Sequence, residues 1–385
     1  MSRLLPLGAV LLAAGISACG GDSDGGGRDG SSADDTPSFS TTGWDTDFSK
    51  HSAPLDEFIS GGPPKDGIPS IDSPRFIPVD EADGFLDPRE PVAVVELGGR
   101  VRGYPLQILT WHEIVNDEIG GEPVAVTYCP LCNSTVAFLR EIGGDPVEFG
   151  TTGMLRNSDL VMYDRKTESW WQQITAEAVV GELTGTKLEL VPSQILSWGD
   201  LRRSQPDAEV LSRDTGFNRD YGSNPYAGYD SDLDAQPFLL EGEPDRSLPP
   251  MERVAAIKTG DRSAVVYPFS RLGEAAPIND AVDGKPAVVF FDSEVASALD
   301  ASVVSEGRNV GAAAVFERRV GRRTLTFSPG GDRGTFRDSQ TASTWNMRGV
   351  ATAGPLAGSR LQQIPHDDQF WFALAAFFPD AEIRR

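Results

Sequence analysis

Two cysteines separated by two residues are the side chains of this sequence best suited to chemistry: Cys129 and Cys132, in Tyr128-Cys129-Pro130-Leu131-Cys132. That spacing puts two sulfurs within reach of one metal ion or of each other. The chain has only three cysteines and three histidines, and His112 falls in the same stretch, Tyr104 to Arg140. Thiolate and imidazole donors suit copper or zinc, so His112, Cys129 and Cys132 form the expected metal set. Glu113, Met154, Arg156 and Asp159 are expected to line the site, with Glu113, Met154 or water completing the shell. There is no second Cys-x-x-Cys, which excludes a closed four-cysteine zinc site within the chain. Three ligands and an open position favour catalysis, transfer or electron transfer over a purely structural role.

Two other readings of the pair stand beside the metal reading. The first is thiol–disulfide exchange. In thioredoxin-like proteins a helix N-terminus lowers the thiol pKa, whereas Asn133 to Phe138 reads as turn and strand. The second is a non-enzymatic envelope protein in which the pair is structural, since disulfides persist outside the cytoplasm. The residues assign no catalytic group and leave open whether the protein is an enzyme. There is no Gly-x-Ser-x-Gly elbow and no Gly-Lys-Ser/Thr phosphate loop. The net charge of −23 repels phosphate backbones, so nucleic acid is not an expected partner. The protein or small-molecule partner is not named by the sequence.

The elements that must position these residues follow a targeting segment. Arg3, the apolar run Leu4 to Gly15 and then Ile16-Ser17-Ala18-Cys19 resemble the signal peptide and lipobox of bacterial lipoproteins. By that resemblance residues 1–18 are removed and Cys19 carries the lipid. The expected location is the extracytoplasmic face of the cell membrane, anchored through Cys19. Residues 19–43 read as a flexible tether rich in Gly, Ser and Asp, and 44–89 as an extended proline-rich arm. Strand signals begin at Pro91, with a hairpin turning at Gly98-Gly99. Leu106 to Glu118 reads as a short helix, Pro123 to Tyr128 and Thr135 to Leu139 as strands, and Trp198 to Arg203 as a second helix. Residues 213–251 read as a long packed linker.

The chain then repeats itself. Tyr104-Pro105, Asn116-Asp117 and Gly121-Glu122-Pro123 match Tyr267-Pro268, Asn279-Asp280 and Gly284-Lys285-Pro286 at one constant offset. Asp164, Thr167, Ser169, Trp171 and Trp198 match Asp338, Thr341, Ser343, Trp345 and Trp371. The expected fold is α+β, predominantly antiparallel β, with tandem-duplicated units at 90–212 and 252–385 related by a pseudo-twofold axis. In the second unit Asp292 stands at the place of Cys129, Val295 at that of Cys132 and Ala275 at that of His112. The first unit is therefore read as the working one. The shared Asp164, Thr167, Ser169 and Trp171 set is read as turn and packing chemistry.

Tyr104-Pro105-Leu106, His112-Glu113-Ile114-Val115-Asn116-Asp117, Tyr128-Cys129-Pro130-Leu131-Cys132 and Asp164 through Trp171 carry a family resemblance. On these pieces the chain resembles the bacterial and archaeal domain-of-unknown-function family 3179, over most of 90–212. The family commonly has Gly where this chain has Asn133. The resemblance implies domain limits and the importance of the His and Cys positions. It implies no activity.

Overall fold

The computed structural model describes residues 37–385. The expected signal segment, the Cys19 lipidation site and most of the expected tether lie outside the described residues. Among the described residues no helix is long and apolar enough to cross a membrane.

Short β-branched and aromatic runs separated by Gly and Asn turns give small antiparallel sheets. Among the strand pairs of the described residues, only Glu209–Leu211 on Arg100–Pro105 and Glu382–Ile383 on Ala264–Pro268 run parallel. In the first half, Pro91–Leu97 and Arg100–Pro105 form the hairpin read from the sequence. Its turn residues Gly98 and Gly99 have φ of 58° and 76°, a conformation that costs glycine least. Ser193–Ser197, Glu209–Leu211 and Phe76–Pro78 complete this sheet. A second sheet runs Leu190–Val191, Ser134–Leu139, Glu122–Cys129, Ile114–Ile119. A third runs Phe58–Ser60, Phe149–Arg156, Asp159–Asp164, Trp170–Gln172, Glu177–Val180.

One element differs from its expectation. The helix expected over Leu106 to Glu118 spans only Leu106–His112, and Ile114–Ile119 is a strand. Glu113 between them takes φ 58°, which stops the helix. The β-branched Ile114, Val115 and Ile119 then bury in the second sheet. The arm is also more than a wrapping: Phe39, Trp44, Phe48 and Phe58 surround Trp170 with ring centroids 5.1–5.6 Å from it. Phe39 thus packs although its sequence position falls in the expected tether.

The three larger sheets of the second half have the strand order of those in the first, without the arm strands Phe76–Pro78 and Phe58–Ser60. Asp367–Phe370, Arg253–Lys258, Ala264–Pro268 and Glu382–Ile383 correspond to the first sheet. Ile278–Val282, Lys285–Asp292, Ala312–Glu317 and Gln362–Gln363 correspond to the second. Phe327–Pro329, Thr335–Asp338, Thr344–Asn346 and Ala351–Ala353 correspond to the third. The residues that recur in sequence make the same bonds in both halves. Tyr104 donates to Asp117 Oδ2 (2.5 Å) as Tyr267 does to Asp280 Oδ2 (2.8 Å). The Asn116 side chain brackets the backbone of Phe149, and that of Asn279 brackets Phe327. Asp164 and Asp338 each accept a Thr amide and, at 3.0 Å, the indole N–H of Trp171 or Trp345.

The halves share their cores. The helix Trp371–Phe377 of the second half packs into a cluster with Ala125, Cys129, Cys132, Phe138, Phe149 and Trp171 of the first. Reciprocally, the helix Trp198–Ser204 of the first half presents Trp198 and Leu201 to Phe290, Phe316, Phe336 and Trp345 of the second. Each half therefore buries part of its apolar surface against the other's helix, while one further cluster, from Ala255 to Val315, lies wholly within the second half.

Candidate metal centre

The strand Glu122–Cys129 ends by delivering Cys129, and the chain reverses at once so that Ser134 pairs back with Cys129. This turn needs a left-handed residue, and Asn133 supplies it at φ 53°, the conformation that glycine takes freely and Asn tolerates best among side-chain-bearing residues. The second contributor is the hairpin of Phe149–Arg156 and Asp159–Asp164. Its turn residues Asn157 and Ser158 both have positive φ, 50° and 64°, the signature of a two-residue hairpin turn. That turn aims the Ser158 carbonyl and the Asp159 carboxylate at the cysteines.

The two sulfurs stand 3.1 Å apart as free thiols. The Cys132 thiol lies 3.2 Å from Asp159 Oδ1 and 3.3 Å from the Ser158 carbonyl oxygen, which is 3.8 Å from the Cys129 sulfur. Cys129, Cys132 and Asp159 are all buried, and their ligand atoms lie within 4.8 Å of one another. No other group of three such residues occurs among the described residues. Asp159 is held by its other oxygen, which accepts from Gln172 Nε2 at 2.6 Å and from the Ile174 amide at 3.0 Å.

Acidic groups accumulate here. Burial pushes the Cys129 thiol up, and pushes Cys132 well up, with Cys129 and Asp159 adding to the effect on Cys132. Burial raises Asp159 to about 6, against the bonds from Gln172 and Ile174. Glu113 is pushed up to about 8, by burial first and by the charge of Asp159 second. The cation felt by Asp159 is Lys258 of the second half, whose ammonium is already bound to the Ile174 carbonyl and to Asp367, each at 2.5 Å. A cluster of buried acids with so little positive charge is the environment that a bound cation stabilises.

His112 is not part of this group. Its Nδ1 lies 2.8 Å from the Pro69 carbonyl and its Nε2 2.6 Å from the Tyr221 hydroxyl. A carbonyl only accepts, so Nδ1 carries the proton and Nε2 accepts from Tyr221. Burial depresses the His112 pKa, which favours this neutral form. Both ring nitrogens are engaged, and the third ligand-type side chain beside the two sulfurs is that of Asp159, where the sequence reading expected His112. His112 instead ties the helix end to the arm and to the linker, immediately before the strained Glu113. Glu113 lines a cavity of about 70 Å³ with Leu131, Met154, Leu160 and Tyr226, so two of the expected lining residues, Glu113 and Met154, meet there. Arg156 turns away: its Nε binds Glu57 at 2.6 Å and its guanidinium lies over Phe377.

The linker supplies residues that sequence reasoning left as a connector. Tyr229 donates to the Leu131 carbonyl at 2.9 Å, Tyr226 walls the Glu113 cavity, and Ser158 donates to the Phe238 carbonyl at 2.6 Å. Their one sequence signal was the density of aromatics in a segment without regular structure.

No curated protein and no solved structure matches this chain. One family model does, across residues 65–381, and so across the arm's end, both halves and the linker rather than the first half alone. The chain belongs to that family, DUF3179, described as protein of unknown function.

Proposed function

We propose that Cys129, Cys132 and Asp159 hold one zinc or copper ion in the first half of a lipid-anchored, extracytoplasmic protein, for a catalytic or metal-handling role. The observation that carries the reading is the buried trio itself, two sulfurs and a carboxylate oxygen within 4.8 Å of one another. Two thiolates suit either metal. The hard carboxylate oxygen favours zinc over copper(I). Such an ion, when bound, polarises a ligand or an attached water. Glu113, beside the trio and facing the cavity of about 70 Å³, is the residue placed to accept or give a proton there. The anchor rests on the lipobox-like segment ending at Cys19, and the membrane is the proposed partner. The matched sheets, polar anchors and exchanged helices support a tandem duplication with a pseudo-twofold relation, of which the second copy has lost the cysteines.

The test is elemental analysis of the full chain purified anaerobically, with thiols counted in parallel. About one metal per chain is expected, on the stoichiometry of a single three-donor site. It should be lost in Cys129→Ser and Cys132→Ser, weakened in Asp159→Asn, and unchanged in His112→Ala. A chain that takes no metal on reconstitution overturns the reading.

A second reading is favoured by one contact, that of the Cys132 thiol with Asp159 at 3.2 Å. In thiol–disulfide exchange the two cysteines would pass two electrons to a partner disulfide and release two protons, with Asp159 taking the one on Cys132. The near-complete burial of both sulfurs weighs against a protein-sized partner. Reversible cycling of the dithiol in metal-free protein would move the assignment to this reading.

A further inference from the structure

The cavity of about 70 Å³ beside the cysteine site has chemically uneven walls. Ile68, Leu131, Met154, Leu155 and Leu160 make it apolar on most sides. Leu131 lies between the two cysteines in the chain and Leu160 follows Asp159, so the cavity adjoins both the cysteine turn and the Asp159 hairpin. Three polar side chains line it, those of Glu113, Thr151 and Tyr226. The Thr151 hydroxyl donates to the Ile68 carbonyl at 2.8 Å. The Glu113 carboxyl and the Tyr226 hydroxyl have no hydrogen-bond partner among the described residues.

Glu113 is only 8% exposed. A carboxyl so deeply buried ordinarily has a protein partner. This one faces the cavity, on a backbone whose φ of 58° few residues with a side chain adopt. Strain of that kind concentrates at ligand-binding positions. The second half does without it: the residue that closes the corresponding helix Phe269–Ala275 is Ala276, at the same offset that sets Asp292 at the place of Cys129. The carboxyl and the cysteines therefore occur together in one half and are missing together from the other. Pro63 and Met154 line both this cavity and a cleft of about 620 Å³ formed largely by the arm. Met154 is unbranched and turns about three side-chain bonds, which makes that shared wall the way in.

Size and charge restrict the occupant. An apolar cavity of about 150 Å³ accommodates benzene, so one of about 70 Å³ holds roughly three or four non-hydrogen atoms. A peptide, sugar or nucleotide does not enter whole. An anion would meet Asp159 and Glu113, and an ion of either sign would lose its hydration against apolar walls. Burial, and then the charge of Asp159, raise Glu113 to about 8, so at neutral pH its carboxyl donates to an oxygen of the ligand while the Tyr226 oxygen accepts. We infer that this cavity is the substrate pocket of the proposed metal centre, and that it takes an uncharged molecule of roughly four non-hydrogen atoms whose polar group hydrogen-bonds Glu113 and Tyr226. Naming that ligand the substrate rests on the metal reading above; its binding does not.

Methyl NMR of the full chain, isotope-labelled at its methionine methyls, tests this, because Met154 is the methionine that lines the cavity. Its signal is identified by its loss in Met154→Leu, and the buried Met162, Met251 and Met347 report whether the fold is intact. The probes are acetamide, its anionic isostere acetate, and the larger benzamide. Acetamide should shift the Met154 methyl saturably with a Kd of about 1–10 mM, in keeping with so few atoms. Acetate and benzamide should bind about tenfold more weakly or not at all. Glu113→Ala and Tyr226→Phe should each weaken acetamide about tenfold. No saturable Met154 response to acetamide in the unmodified chain overturns the inference, and so does acetate or benzamide binding as tightly as acetamide, or an affinity unchanged in both variants. The titration is run on metal-free chain and again after reconstitution. A chain that takes no metal yet binds acetamide upholds the pocket and overturns the metal reading. A chain that takes metal and leaves Met154 unmoved overturns the pocket alone.

Discussion

The two halves keep one scaffold and fill the same corner of it with opposite chemistry. In the first half, Cys129 and Cys132 meet Asp159, soft donors beside a carboxylate. In the second, Asp292 meets Arg333, and Val295 occupies the place of Cys132. The helix lent by the other half changes as well: the first half contributes Asp200, and the second contributes Ala373 at the matching position after its tryptophan. What stayed constant is hydrogen-bonded geometry, Tyr104 on Asp117 and Trp171 on Asp164, with their counterparts Tyr267 on Asp280 and Trp345 on Asp338. Residues that satisfy buried polar groups are held in both halves because losing one partner strands the other. Residues that only face the corner differ between the halves.

The comparison predicts its own strongest break. Trp198→Ala and Trp371→Ala each remove a buried indole at the crossing of the halves. Each should cost about 3–5 kcal/mol, and denaturant unfolding should stay a single transition in both. Two transitions would show that the halves unfold separately and that the shared cores are not cooperative. Next come the matched anchors. Asp164→Ala and Asp338→Ala each leave a buried Trp N–H unpaired, at about 1–3 kcal/mol. Their melting shifts should be similar, and strongly unequal shifts would break the equivalence of the two turns.

The third prediction concerns pH in metal-free protein. Glu113 is raised to about 8, and Asp159 and Asp292 to about 6. Their folded forms hold protons that the unfolded chain has released, so stability falls as pH rises from about 4 to 8. Glu113→Gln should flatten the upper part of that slope, between about 6 and 8. An unchanged slope would place the titrating group elsewhere. The smallest effect belongs to the turn found only in the first half. Asn133→Ala should lower stability by about 1 kcal/mol at its left-handed φ, whereas Asn133→Gly should not.

Much of this was legible in the sequence because it is local. The Gly98-Gly99 hairpin, the strand running into Cys129 and the turn that follows depend on neighbouring residues. The recurring Tyr-Pro, Asn-Asp and Asp-Thr-Ser-Trp pieces revealed the two matched sets of strands. The helix beginning at Leu106 was read too long because Leu, Ile and Val satisfy helical and strand spacing alike, and nothing flags the positive φ of Glu113. His112 was read as a ligand from its proximity in sequence. The end of its helix turns the ring toward Pro69 and Tyr221 instead. Asp159 was named only as a lining residue, since its contact with Cys132 requires two hairpins to meet.

The exchanged helix sets an order of events for the thiols. The cover over Cys129 and Cys132 includes Trp371–Phe377, more than two hundred positions further along the chain. Until that segment has been synthesised and docked, that part of the cover over the sulfurs is missing. If the pair binds metal as proposed, that interval is when the sulfurs are most open to it, and docking of the helix then adds to their cover.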